Sequence, residues 1–265
     1  VSGKRSKDPS ILQTYLSYGV DLFHRRVYLG YLDGAGDDDI GFESIALAVR
    51  GIDKLLDLTN KEPIEIHCCS YGGSPYHSLA LVDKILESPC KFVFYGRGAI
   101  MSAATVIMAV CDERYVSRNS TIMLHDGSDG FEGKTTDMQI YVKEAERVQD
   151  AYNEIYANNS WLDKTFWDSI VRRDLYLTAD EALSVGLVDK IVHTPGRSKF
   201  RSRKKPTSSD HSRIGRLMKK FSERTKMPIL SEVKLHFIED KHEDIKEYDN
   251  TENELKKLND ESGQE

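Results

Sequence analysis

The sequence predicts an α/β fold in which a mainly parallel sheet is covered by helices, and three observations predict it. Short apolar strand-like runs alternate with segments whose apolar residues recur every three or four positions. Glycine-rich turns separate several of these runs from the helical segments that follow, as in repeated strand–helix–strand units. Apolar residues form only 39% of the 265-residue chain against 30% charged, yet they crowd into its first three quarters, where one sizeable core belongs.

Residues 1–20 are weakly patterned and read as an N-terminal arm or axial segment. Val27 to Leu32 reads as a first strand, ending in the acidic turn Asp33 to Asp39. Ile45, Ala48, Val49, Ile52, Leu55 and Leu56 then mark one helix face. Ile64 to Cys68 is a second strand. The turn Ser70-Tyr71-Gly72-Gly73-Ser74-Pro75 leads into a helix with Leu79, Val82, Ile85 and Leu86 on its buried side, and Pro75 stands where a first-turn proline is tolerated. Cys90 to Tyr95 is a third strand, followed by the helix that Ser102 opens.

Arg114 to Val116 and Thr121 to Leu124 read as two more strands, the second delivering His125. A long helix follows from Thr135 to Ala157, with Met138, Tyr141, Val142, Ala145, Val148, Tyr152 and Ile155 in one stripe. Such length suits either core packing or a protruding helix that packs on a copy of itself. Asp163 to Val171 and Thr178 to Val185 are further helices, the latter begun by the capping-box pattern Thr178-Ala179-Asp180-Glu181, and Leu187 to Val192 is a last strand.

Beyond Pro195-Gly196 the composition changes. Arg197 to Lys226 holds twelve Lys or Arg against two acids, a net of +10, and Glu239 to Glu265 holds eleven acids against four Lys, a net of −7. Residues 196–265 therefore read as a solvated, charged tail, flexible or partly helical around Ile214, Leu217, Met218 and Phe221. The basic block lacks interleaved aromatics beyond Phe200 and Phe221, so nucleic acid is not an expected partner. No apolar run reaches the roughly 18 residues of a membrane span, and a soluble cytoplasmic protein is expected. Cys68, Cys69, Cys90 and Cys111 lack ligand-like spacing and read as buried reduced thiols, with no metal site.

Ser102 stands where a strand turns into an apolar helix, a position that suits both a plain N-cap and a nucleophile. Nucleophilic serine chemistry also needs a base, an acid that orients it and donors for the oxyanion. His125 at a strand end and Asp174 within Arg172-Arg173-Asp174-Leu175-Tyr176-Leu177 supply the first two if all three side chains meet at one sheet edge. The unobstructed backbone of Gly73 can set its N–H beside that of Ala103.

Five stretches in order resemble the proteolytic subunit family of the Clp protease, ClpP, and its phage relatives. They are Ile66 to Gly73, Gly98-Ala99-Ile100-Met101-Ser102, Asn119 to His125, Gly133 to Met138, and Arg173 to Ala182, with Gly186-Leu187-Val188-Asp189 closing the match. The resemblance implies a ClpP/crotonase-like stack of βαβ units over residues 21–195, with a protruding handle helix. It implies Ser102 as nucleophile, His125 as general base, Asp174 as orienting acid, and Gly73 and Ala103 as oxyanion donors. It further implies peptide-bond hydrolysis through an acyl-enzyme without cofactor or metal, on protein or peptide substrates. The chamber would be a homo-oligomer of rings stacked through helix 135–157, with an ATP-driven AAA+ unfoldase as a possible partner and phage head maturation as a possible setting.

Several positions depart from the family pattern. Ile100 and Met101 replace two small residues, Tyr71 replaces the turn proline, and Asp126-Gly127 replaces a Gln-Pro pair. The serine and histidine are two residues closer than in typical members. A gap between them places the nucleophile at Ser102, the preferred register. Without one it falls on Ile100, and the alternative is a catalytically inactive, ring-forming assembly partner.

Overall fold

The computed structural model describes residues 19–30, 40–127, 130, 132–170, 174–192 and 201–202. The chain divides into units Val1–Leu235 and His236–Glu265, and every described residue lies in the first. The strands are β1 Val20–Asp21, β2 Arg26–Leu29, β3 Ile64–Ser70, β4 Phe92–Met101, β5 Glu113–Ser117, β6 Thr121–Leu124, β7 Leu175–Thr178, β8 Lys190–Val192 and β9 Arg201–Ser202. The helices are α1 Phe42–Leu58, α2 Pro75–Leu86, α3 Ala103–Ala109, α4 Thr135–Asn158, α5 Lys164–Ile170 and α6 Ala179–Ser184.

The sheet runs β1-β2-β3-β4-β5-β8-β9, with β6 and β7 branching from β4. Pairing is parallel from β2 through β5 to β8 and between β4 and β6, and antiparallel at β1–β2, β6–β7 and β8–β9. The alternation of strands and helices thus gives the mixed α/β sheet it predicts. One sheet face is covered: Val27, Leu29, Ile64, Ile66, Cys68, Phe92, Phe94 and Val116 are buried there with Ile45, Ile52 and Leu55 of α1 and Leu81, Val82 and Ile85 of α2. The other carries Tyr28, His67, Tyr95 and Tyr115 side by side, their rings about one strand spacing apart at 5.2, 4.9 and 5.2 Å.

The branch at β4 creates the site. Val93–Gly96 pair with Glu113–Val116 of β5, whereas Ala99–Met101 pair with Thr121–Met123 of β6. Between them Arg97 and Gly98 slip the register against β3, from Cys68↔Gly96 to Ser70↔Ile100, and Gly98 takes φ +67°, a conformation open to a residue without Cβ. The expected third strand therefore continues past Tyr95 to Met101, directly before Ser102.

Other expectations need correction. Leu86 is 65% exposed, because α2 ends there and its last turn has left the core. The stripe of the long helix, which sequence leaves open to core packing or protrusion, is divided: Met138, Val142 and Ala145 are exposed, and burial begins at Val148, where α4 reaches α3 and α5. Leu175–Thr178 is a strand with Leu175 and Leu177 buried and Tyr176 and Thr178 exposed, an alternation too short to stand out in the sequence. The first strand ends at Leu29. Cys69 is only half-buried, whereas Cys68, Cys90 and Cys111 are buried, and all four are free thiols. The turn at 31–39, the arm at 1–18 and the tail from 203 lie outside the described residues.

Two local devices fix the scaffold. Thr178 Oγ1 accepts from the Glu181 N–H at 3.3 Å while Glu181 Oε2 accepts from the Thr178 N–H at 2.9 Å, the reciprocal cap that starts α6. Arg25 is buried at φ +54°, and its guanidinium donates to Leu55 O at 2.7 Å, Glu62 O at 3.0 Å, Thr59 O at 3.1 Å and Pro63 O at 3.2 Å. It thereby serves the carbonyls of Thr59, Glu62 and Pro63 in the turn into β3 and adds a second donor to Leu55 O, which also accepts the Thr59 N–H at 3.2 Å.

Candidate active site

Three adjacent strands deliver the three candidate side chains to one edge. In the β4–β6 ladder Met101 lies beside Met123, so the chain leaving β4 emerges next to the end of β6, and the Ser102 N–H donates to Met123 O at 2.8 Å. In the β6–β7 ladder Leu124 faces Leu175, which sets His125 and Asp174 opposite each other one step further on. Ser102, His125 and Asp174 are far apart in sequence and neighbours in the sheet.

His125 Nε2 lies 2.8 Å from Ser102 Oγ. Asp174 Oδ1 lies 4.0 Å from His125 Nδ1, within reach of charge attraction but beyond a hydrogen bond, and its side chain is 61% exposed against 22% for His125. Ser102 itself takes φ +52°, ψ −126°, a strained setting for a residue with a Cβ. The sharp turn it makes between β4 and α3 aims Oγ away from the buried helix and toward the histidine. Ile100 is fully buried between Ser70 and Ile122, so its side chain belongs to the core.

Donors stand beside the serine. Ala103 is the first residue of α3, and its N–H has no partner within the helix. Gly73 bridges Ile40, but the bonds of that bridge run from Ile40 N–H to Gly72 O at 2.9 Å and from Ser74 N–H to Ile40 O at 2.8 Å, not through the Gly73 N–H. Gly72, which the sequence marks only as part of a turn, is packed hardest against the serine. A Cβ on it would lie 2.6 Å from Ser102 Cβ, 2.9 Å from Met101 O and 3.2 Å from Ala103 N. Thr105 also joins the site, since its N–H and Oγ1 both donate to Ser102 O, at 2.9 and 2.6 Å. Neither had a signal in the sequence beyond a double glycine and one hydroxyl in an apolar run.

Among the described residues no group of three or more His, Cys, Asp or Glu side chains is placed to hold a metal ion, and no helix is long and apolar enough to cross a membrane. A serine bonded to a histidine at a sheet edge, with the open Ala103 N–H next to it, is an arrangement suited to acyl transfer.

Comparison with known proteins places the chain in a family. The family model described as Clp protease matches residues 44–195, which include all three side chains. The chain is 30% identical over 141 residues to the ATP-dependent Clp protease proteolytic subunit of Deinococcus radiodurans, covering 52% of this chain and 69% of that one. With the family model spanning more than half of its length, the chain belongs to the Clp protease family.

Proposed function

We propose that the chain is a serine endopeptidase, with Ser102 as nucleophile, His125 as general base and Asp174 as the carboxylate that orients the base. The observation that carries the reading is the 2.8 Å contact between Ser102 Oγ and His125 Nε2 at a strained strand-to-helix turn. As Oγ attacks the peptide carbonyl carbon, Nε2 takes the hydroxyl proton and the carbonyl electron pair moves onto oxygen. The N–H groups of Gly73 and Ala103 receive that oxyanion. Collapse expels the amine, which leaves with the proton from Nε2, and water activated by the same nitrogen then hydrolyses the acyl-serine. The Asp174 carboxylate offsets the imidazolium charge in both halves.

Ile100, fully buried near the end of β4, gives no support to a register that puts the nucleophile position there. Exposed Met138, Ile140 and Val142 on the first half of α4 support packing of this helix against a copy of itself in stacked rings. The relative's description as an ATP-dependent proteolytic subunit suggests that protein substrates reach such a chamber through an ATP-driven partner.

The test is hydrolysis of fluorogenic peptides and an unfolded protein by the purified oligomer. Ser102→Ala is expected to lose about a thousandfold or more of the wild-type rate. Hydrolysis that survives the substitution overturns the reading.

A further inference from the structure

The strained serine is held at both of its peptide bonds, and the second hold comes from outside its own strand. Met123 O takes the Ser102 N–H, while the Ser102 carbonyl accepts both donors of Thr105. Thr105 is fully buried, and its Oγ1 lies 2.7 Å from the hydroxyl of Tyr156. The direction of this chain follows from donor inventory. A carbonyl only accepts, so the single Thr105 hydroxyl hydrogen points to Ser102 O, and the Tyr156 hydroxyl must donate to Thr105 Oγ1.

Tyr156 is built to keep that role. Only 2% exposed, it packs against Trp167 at 5.4 Å and Tyr152 at 6.3 Å between ring centres. Burial raises its phenol well above the ordinary range, so it keeps its proton throughout the pH range of peptide hydrolysis. The aromatic lies on α4, the element whose other end is exposed, and it reaches Thr105 on α3.

We infer that Thr105 and Tyr156 are positioning residues, which lock the Ser102 carbonyl so that Oγ stays in the left-handed setting that meets His125. The inference rests on the proposed nucleophilic role of Ser102. It goes beyond that role because neither side chain touches substrate or the reacting atoms. Without the Thr105 hydroxyl, one hydrogen-bonded tie on a strained residue is lost and the turn can relax toward negative φ. Without the Tyr156 hydroxyl, Thr105 keeps its bond to the serine carbonyl but loses the donor that orients it.

The experiment compares wild type with Thr105→Val, Thr105→Ser, Tyr156→Phe and the Val/Phe double variant, by peptide turnover and by crystal structure. Thr105→Val is expected to lower kcat by roughly 10- to 100-fold with KM changed less than about twofold, as a misplaced nucleophile does. Thr105→Ser keeps the hydroxyl and is expected to recover to within about threefold. Tyr156→Phe should cost less than Thr105→Val, and the double variant no more than Thr105→Val alone, because the two groups act in series. In the Thr105→Val crystal the Ser102 φ should leave the positive region and the Oγ to Nε2 contact should open, whereas Thr105→Ser retains both. Unchanged Ser102 geometry in Thr105→Val, or a loss that Thr105→Ser does not rescue, overturns the inference. The crystallographic arm decides it even if wild type proves inactive, an outcome that would count against the proposed function instead.

Discussion

Gly72 and Ser102 are pressed together so closely that a Cβ on the glycine would lie 2.6 Å from the serine Cβ. Real Cβ atoms do not approach that near, and the neighbouring Met101 carbonyl at 2.9 Å is backbone that cannot rotate away. Gly72 also sits at φ +109°, where a side chain is strained whatever the space. The double-glycine turn after β3 is thus a wall against which Ser102 is set.

Gly72→Ala is therefore expected to displace Ser102 and lower kcat/KM by about two orders of magnitude or more. The relevant check is peptide turnover together with the melting temperature. A fold that stays intact while activity is lost is the predicted pattern, and an unaltered rate would show that the turn tolerates the extra carbon.

His125 and Asp174 should not count equally. His125 is within hydrogen-bond reach of Oγ, whereas Asp174 is 4.0 Å from the histidine and 61% exposed. Removing the base, His125→Ala, is expected to cost roughly 10⁴-fold or more, and Asp174→Asn about one to two orders of magnitude less. Equal losses in kcat would mean that Asp174 closes on the histidine during turnover.

On the sheet face that carries Tyr28, Tyr95 and Tyr115, His67 is buried and its two ring nitrogens are both engaged. Its Nε2 lies 2.8 Å from Glu65 Oε2 and its Nδ1 accepts from Arg97 Nη1 at 3.0 Å, so a second ring proton would break the arginine bond. Burial depresses its pKa, the hydrogen bond to Glu65 offsets this only partly, and Arg97 and Arg26 act in the same direction as burial. Below about pH 6.5 the unfolded histidine binds a proton that the folded one refuses. Its contribution to stability is full above that value and is lost as pH falls toward the lower folded value. Glu65 also faces the ring: burial raises its pKa, but the bonds from His67 and Arg26 prevail and lower it, so its own loss of stability comes at more acid pH. Denaturant unfolding between about pH 7.5 and 5 should show wild type losing more stability than His67→Gln. Parallel curves would assign the pH dependence to other groups.

Arg25→Met should be among the costliest changes away from the site. It removes the arginine donor from the carbonyls of Thr59, Glu62 and Pro63 and leaves Leu55 O with the Thr59 N–H alone, in a half-buried corner. A loss of roughly 2–4 kcal/mol is expected in denaturant unfolding, with little change in kcat of the protein that remains folded.

What could be read in the sequence follows physical range. The capping box at Thr178 and the strand Thr121–Leu124 are set by residues a few positions apart, and both stand where their patterns put them. Ser102, His125 and Asp174 were legible as candidates because their types and surroundings imply chemistry. Their meeting depends on β4 forking to two partners and on the short strand β7, which local patterning does not reveal. Leu86 was misjudged, and the extent of burial along α4 was left open, for a related reason: periodicity marks an apolar face but not where its cover ends. Gly72, Thr105 and Tyr156 act across elements, and nothing near them in sequence announces the contacts they make.

The central claim is that Ser102 is an activated nucleophile. Its most direct test is reaction of the purified protein with a fluorophosphonate probe followed by mass mapping of the adduct. One adduct on Ser102, absent in Ser102→Ala and strongly slowed in His125→Ala, is the predicted result. An assembled, folded oligomer that forms no adduct across several pH values would contradict the account.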